Sequence, residues 1–217
     1  MRPSALLAKA QKATALVENR IVLMAMRRAA GKKLAATTLP CSLNLGCGAA
    51  IFEAPWINID LAPQADVHWD LTHPIPLPDG SCRLIYSEHV FEHFPPEQGA
   101  ALLADCHRLL MPGGIIRIAM PNLERLAQKY LASDWKDQEW LKAPPYQLIQ
   151  TPAEMFNVSV RWWGHCWVYD HTELSRRLRT AGFSVIHKAE FRQSDEPQLR
   201  NRETRPDSFL ICEATRS

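Results

Sequence analysis

A mostly parallel α/β sheet is the architecture this sequence predicts, and three observations point to it. Beyond Leu39-Pro40, short apolar runs alternate with turn clusters and helical stretches, the pattern of strands joined by crossovers. The first of these runs feeds directly into Gly46-Cys47-Gly48, a turn that lets backbone approach a ligand closely. The next two runs end in aspartates, Asp60 and Asp70, and ligands of open α/β sheets lie at the carboxyl ends of the strands.

The elements follow in chain order. Residues 1–39 read as a basic helical extension. Leu6, Ala10, Ala13, Val17, Ile21 and Met24 recur at three- and four-residue steps, Ser4 offers a cap, and Gly31 marks an end. Residues 40–217 read as one domain. Its predicted strands are Ser42–Leu45, Ile57–Leu61, Val67–Trp69, Leu84–Ser87, Ile115–Met120, Ser184–Phe191 and Phe209–Thr215. Predicted helices cover Glu97–Leu110, stopped by Pro112-Gly113-Gly114, then Asn122–Leu131 and Thr172–Ala181, which Gly182 closes. Residues 134–170, rich in proline and tryptophan, show no regular period and read as an insertion over the site.

At 217 residues the chain holds one sizeable domain, and a charged fraction of 22% beside 47% apolar residues is that of a packed globular protein. The net charge of +2 is unevenly spread. Residues 1–38 carry eight basic side chains and one acid, +7, and the rest carry seventeen basic and twenty-two acidic, −5. The mildly acidic body argues against a nucleic-acid substrate. The basic head packs on the body in the simplest reading; its rivals are contact with a membrane surface or a nucleic acid, and a targeting segment. Six cysteines with no Cys-x-x-Cys pair indicate reduced thiols, hence a cytoplasmic protein.

The glycine turn discriminates between nucleotide ligands. A dinucleotide site wants G-x-G-x-x-G and a helix N-terminus for pyrophosphate. Here the third glycine position is Ile51, and too little chain separates Gly48 from Ile57 for a full helix. Asp60 follows Gly48 by only twelve residues. What remains suits an adenosyl ligand without phosphate, S-adenosylmethionine: a backbone turn for the methionine part, Asp60 for the ribose hydroxyls with Leu61 against adenine, and Asp70 with the Leu71 amide for the adenine edge.

The run Ser87-Glu88-His89-Val90-Phe91-Glu92-His93-Phe94, followed by His107-Arg108-Leu109-Leu110-Met111-Pro112-Gly113-Gly114, resembles class I methyltransferases of the ubiquinone-biosynthesis type. The chain also resembles bacterial predicted methyltransferases linked to surface-polysaccharide genes, sharing Trp56-x-Asn58-x-Asp60, Gly164-His165 and Tyr169-Asp170. The resemblance spans about Ser42 to Ala214. It implies a Rossmann-like seven-stranded sheet of order 3-2-1-4-5-7-6 with an antiparallel last strand, and methyl transfer from S-adenosylmethionine. The cofactor residues it implies are Leu45, Gly46, Cys47, Gly48, Asp60, Leu61, Asp70, Leu71, Ser87 and Glu88. The acceptor it implies is a small molecule or a sugar- or lipid-linked intermediate. Pro55, Cys82-Arg83 and the missing third glycine depart from the family pattern.

The histidines allow competing readings. His89-Val90-Phe91-Glu92-His93 matches H-x-x-E-H, a zinc-peptidase motif that needs a continuous helix, yet Pro95-Pro96 follows at once. His165, Cys166 and His171 fit no usual zinc spacing, so no metal is expected. An oxygen acceptor would need a base, for which His93, His89 and His165 are the candidates. Arg161, Trp162, Trp163, His165, Trp167 and Tyr169 either cover the acceptor or fill the core. A fold that binds the cofactor without turnover is the remaining alternative.

Overall fold

The computed structural model describes residues 24–217, so the apolar stripe from Leu6 to Ile21 and its Ser4 cap lie outside the described residues. Helix α1 covers residues 24–35 and turns Ala30 and Leu34, one helical turn apart, into the core. Gly31 therefore does not end the helix. Burial of Leu34 carries it one turn further, and Met24, assigned to the apolar face, is instead 71% exposed.

Seven strands form one sheet of order β3-β2-β1-β4-β5-β7-β6. Strands β1 (Cys41–Leu45), β2 (Trp56–Asp60), β3 (Val67–His68), β4 (Cys82–Glu88) and β5 (Leu110–Met120) run parallel, and β7 (Leu210–Thr215) lies antiparallel to both β5 and β6 (Val185–Lys188). Every residue of β1 is buried, as a central parallel strand covered on both faces requires. Helix α2 (Pro96–Leu109) packs Leu102, Leu103, Cys106 and Leu109 on one face, and α6 (His171–Thr180) adds Leu174 and Leu178.

Pro112-Gly113-Gly114 does not stop α2. The helix ends at Leu109, and the Pro-Gly-Gly lies inside β5, where pairing jumps from Cys82↔Leu110 to Leu84↔Ile115. The glycines serve a bulge there: Gly113 sits at φ +79°, and a Cβ on Gly114 would come within 2.9 Å of the Met111 carbonyl.

No helix forms between Gly48 and Trp56. A buried amide network orders that crossover instead. Asn44 Nδ2 donates to the Ala50 carbonyl (2.8 Å) and to Asn58 Oδ1 (2.9 Å). Asn58 in turn accepts the Phe52 N–H (2.9 Å) and donates to the Phe52 carbonyl (2.9 Å) and Asp66 Oδ2 (2.7 Å). Those bonds replace the ladder a helix would supply.

Helix α3 (Leu123–Leu131) starts from Asn122, whose side chain accepts the Glu124 amide. The stretch expected to be irregular then holds two further helices. These are α4 (Glu139–Lys142) and α5 (Pro152–Arg161), the latter opened by a Thr151/Glu154 capping box with Pro152 at its first position. They enclose a second core of Leu126, Trp135, Leu141 and Met155. Beyond β6, the loop to β7 is fastened by a buried ion triad. Arg117 donates to Glu203 (2.5 Å) and Glu213 (2.6 Å) and to the Glu190 carbonyl (2.9 Å). Burial alone would lower the Arg117 pKa, but the two carboxylates outweigh it and raise it above its ordinary value. No described helix is long and apolar enough to cross a membrane.

Candidate functional site

Three cavities meet over the carboxyl ends of the parallel strands, and His89 lines all three. The first, of about 250 Å³, is bordered by Gly46, Asp60, Leu61, Asp70 and Leu71 with Val90 and His93. Residues expected from sequence to act together, at the tips of three strands, thus share one wall.

Gly46 adopts φ +63° and Gly48 φ +50°. At Gly46 there is also no room: a Cβ would lie 2.2 Å from Val90 Cγ2. The turn is locked onto Asp60, whose Oδ2 accepts the Gly48 N–H (2.8 Å) while Oδ1 accepts the Ala62 N–H (2.9 Å). Each carboxylate oxygen keeps a further lone pair for a ligand. Asp70 Oδ1 accepts from the Thr72 amide (2.9 Å) and hydroxyl (2.7 Å). Partial burial pushes its carboxyl up, but those two bonds, with His73 and Arg27, prevail and hold it below the ordinary range. Among the described residues, two carboxylates and no lysine or arginine line this cavity.

The second cavity, about 410 Å³, lies over Asn44, Gly46–Gly48 and Tyr86, with Glu88, Thr204 and Arg205 opposite. Cys47 belongs to it. Burial, then the nearby Asp60 carboxylate, pushes its thiol up to about 11. The Glu88 carboxylate is already committed. It accepts the Thr204 N–H (3.0 Å) and hydroxyl (2.7 Å), the Arg205 N–H (3.1 Å) and the Ser208 hydroxyl (2.9 Å), so it fastens the β6–β7 loop over the cavity. Leu45 and Ser87 are fully buried and line none of the three cavities.

The third cavity, also about 410 Å³, is enclosed by α3, the 134–165 stretch and the β6–β7 loop. Trp140, Tyr146, Trp163 and Phe209 give it aromatic walls, and Arg125 and Arg205 bring positive charge. Trp163 donates its Nε1–H to the Tyr146 hydroxyl (2.7 Å). Of the residues considered for a cover, only Trp163 and His165 line the cavity. Trp162 and Trp167 are exposed elsewhere, Arg161 is exposed too, and Tyr169 is core.

The histidines gather around Glu92. The peptidase motif is not on a continuous helix: His89 sits at φ +53°, and Phe91–His93 form a single 3₁₀ turn. His89 Nδ1 lies 3.1 Å from Glu92 Oε1, and neither Glu92 oxygen accepts a hydrogen bond among the described residues. His89 Nε2 faces the Ser208 hydroxyl (3.1 Å). His165 Nδ1 meets the Ser159 carbonyl at 2.7 Å, and its Nε2 faces Glu92 at 4.0 Å. Burial lowers the His165 pKa more than the Ser159 and Glu92 oxygens raise it. His171 is remote from this group, beside Ser175 on α6.

Sequence reasoning missed the β6–β7 loop and the Arg125, Trp140 and Tyr146 walls. Glu88 and Thr204 are 116 residues apart, and no local pattern joins them.

The chain is similar to known methyltransferases. A family model described as a methyltransferase domain matches residues 24–188, and so includes α1. An uncharacterised methyltransferase of Synechocystis sp. is 26% identical over 126 residues, which are 58% of this chain and 50% of that protein. The matched stretch therefore spans half the length of that relative. Among solved structures, an S-adenosylmethionine-dependent methyltransferase of Mesorhizobium loti is 20% identical with a TM-score of 0.48, covering 81% of this chain and 90% of that one. A possible histamine N-methyltransferase of Thermotoga maritima is 16% identical with a TM-score of 0.49, covering 93% and 96%.

Proposed function

Because the chain belongs to the methyltransferase-domain family, whose methyl donor is S-adenosylmethionine, we propose that it methylates a small-molecule or glycan-type acceptor seated in the aromatic cavity. The residues present fit the donor. Its adenosyl half carries no phosphate, and the cavity over Asp60 and Asp70 offers hydrogen-bond acceptors without a lysine or arginine. The glycine turn leads into no helix, so no helix N-terminus is there to hold a phosphate.

In this reading Asp60 holds the ribose hydroxyls on its free lone pairs, and Leu61, Asp70 and Leu71 frame adenine. The Gly46–Gly48 backbone and Arg205 receive the amino-acid end, Arg205 meeting its carboxylate. Glu88 is a positioning residue, since its oxygens are spent on the loop. When bound, the donor supplies an electrophilic methyl group on a positively charged sulfur.

The chain then has two tasks, to align the acceptor and to exclude water, and alignment alone supplies a large share of the rate. Trp140, Tyr146, Trp163 and Phe209 form the dry walls for this. An acceptor hydroxyl in that cavity faces the wall of His89, His93 and His165, to which its proton can pass. Arg125 offers the acceptor a positive charge, against the Asp207 carboxylate in the same cavity.

The observation that carries the proposal is that His89 lines all three cavities and His93 lines both the adenosyl and the aromatic one, so donor and acceptor meet there. The test is a panel of hydroxylated, carboxylated and sugar-type acceptors, scored by S-adenosylhomocysteine release. Trp163→Ala should raise KM for the productive acceptor and leave cofactor affinity unchanged. A Trp163→Ala enzyme with unchanged KM would place the acceptor elsewhere.

A further inference from the structure

We propose that Glu92, His93 and His165 form a binding site for one divalent transition-metal ion, Zn²⁺ or its close neighbours, in the wall between the donor and acceptor cavities. The proposal rests on the methyltransferase reading only for what the ion would do, not for whether it binds.

Four observations carry it. One ligand atom from each of the three side chains lies within 4.8 Å of the other two. Glu92 is fully buried, and neither of its oxygens accepts a hydrogen bond among the described residues, the nearest ionisable nitrogen beside it being His89 Nδ1, 3.1 Å from Oε1. A buried carboxylate left so is strongly unfavourable unless a cation sits beside it. The His165 ring is also set for ligation. Its Nδ1 meets the Ser159 carbonyl at 2.7 Å, which only the protonated nitrogen can do, so Nε2 carries the lone pair and faces Glu92. Finally, the segment bearing His165 is tied to the turn bearing the other two. The Glu92 carbonyl accepts the Cys166 N–H (2.7 Å) and the Trp167 N–H (3.1 Å).

Two imidazoles and one carboxylate suit zinc and neighbouring first-row ions, and disfavour magnesium or calcium, which want oxygen. An ion about 2.0–2.2 Å from each donor holds neighbouring donors about 3.3 Å apart. The three atoms therefore close by roughly an ångström when it binds. His93 and His165 line the aromatic cavity, so the remaining coordination position opens toward the acceptor. A hydroxyl oxygen bound there loses its proton more readily. The oxygen then forms the new O–C bond with its own electron pair. The S–C bond breaks toward sulfur, giving a neutral thioether, and the proton passes to the unligated His89 or to water.

The sequence shows this site only in fragments, Glu92 and His93 within the H-x-x-E-H match and His165 beside Cys166. Glu92 and His93 are adjacent, but His165 is 72 positions on, outside every usual zinc spacing.

The test uses untagged full-length protein stripped with a chelator, then titrated with Zn²⁺ and, separately, Co²⁺. We expect one ion per chain and visible Co²⁺ bands of a low-coordinate nitrogen–oxygen site. Removing one of the three ligands should weaken binding by about a hundred-fold or more, since losing a group that merely orients a ligand can already reach that, so His165→Ala and Glu92→Gln should each do so. S-adenosylhomocysteine affinity should stay within two-fold in His165→Ala, which shows that the variant is folded and reads the cofactor site independently. Zinc affinity equal in wild type and His165→Ala would overturn the metal site, as would an absence of cobalt bands. Loss of homocysteine-cofactor binding in the wild type would instead strike at the methyltransferase reading.

Discussion

Replacing Gly46 by alanine should destabilise the protein through two separable effects. The first is backbone strain: φ is +63°, and an L-residue in the left-handed region costs about 1–2 kcal/mol. The second is overlap, because the new methyl would lie 2.2 Å from Val90 Cγ2, and overpacking a tight core costs about 1–3 kcal/mol. Together they predict a loss of about 2–5 kcal/mol. Only the second effect depends on Val90. Val90→Ala alone opens a small cavity in the buried core and should itself destabilise. In Gly46→Ala/Val90→Ala, however, both Val90 γ-methyls are gone and only its Cβ remains, at 3.3 Å, so the double variant should be about 1–3 kcal/mol better than the sum of the singles. Urea denaturation of the four proteins measures that coupling. Additivity within about 0.5 kcal/mol would refute the idea that the glycine is required by its approach to Val90.

Three further outcomes follow from the same geometry. Arg117→Met leaves Glu203 and Glu213 buried without their cation, and should cost about 3–5 kcal/mol in urea denaturation; a loss below 1 kcal/mol would show the triad is not what secures the β6–β7 loop. Cys47, pushed up to about 11, carries only about one thiolate per thousand at pH 8, so iodoacetamide should modify the exposed Cys166 first and reach Cys47 only as pH climbs toward that value. Mass spectrometry showing equal rates at pH 8 would contradict the burial of that thiol. Glu88→Gln keeps the side chain's size but loses one strong acceptor, and should loosen the Thr204–Ser208 segment; hydrogen exchange at the Thr204 and Arg205 amides should speed up, and unchanged protection would remove Glu88 from its positioning role.

The parts of the fold set by local chemistry were legible in the sequence. Asp60 and Asp70 end β2 and close on β3, Asn122 caps α3, and Gly182 follows α6, all within a residue or two of expectation. The strand order came from family likeness, since no periodicity shows which strand lies beside which. Helix α5 escaped notice because Pro152 and the surrounding aromatics resemble loop composition, although proline is favoured at a helix's first position. Gly31 misled in the opposite way: buried Leu34 rewarded one more helical turn than a lone glycine suggested. That Gly46, Asp60 and Asp70 would share one cavity wall was readable because they stand at or just beyond consecutive strand tips. The gathering of Glu92 with His165, and of Glu88 with Thr204, was not, because contacts across 73 and 116 positions leave no trace in local pattern.

Calorimetric titration with S-adenosylhomocysteine, on the wild type and on Asp60→Ala, bears most directly on the strand-tip pocket. Removing the Asp60 carboxylate deletes both the proposed ribose contact and the acceptor that holds the Gly48 N–H. Micromolar binding by the wild type, lost in the variant and absent for a nicotinamide dinucleotide in either, is the expected result. Equal affinity in both proteins, or preference for the dinucleotide, would contradict the account.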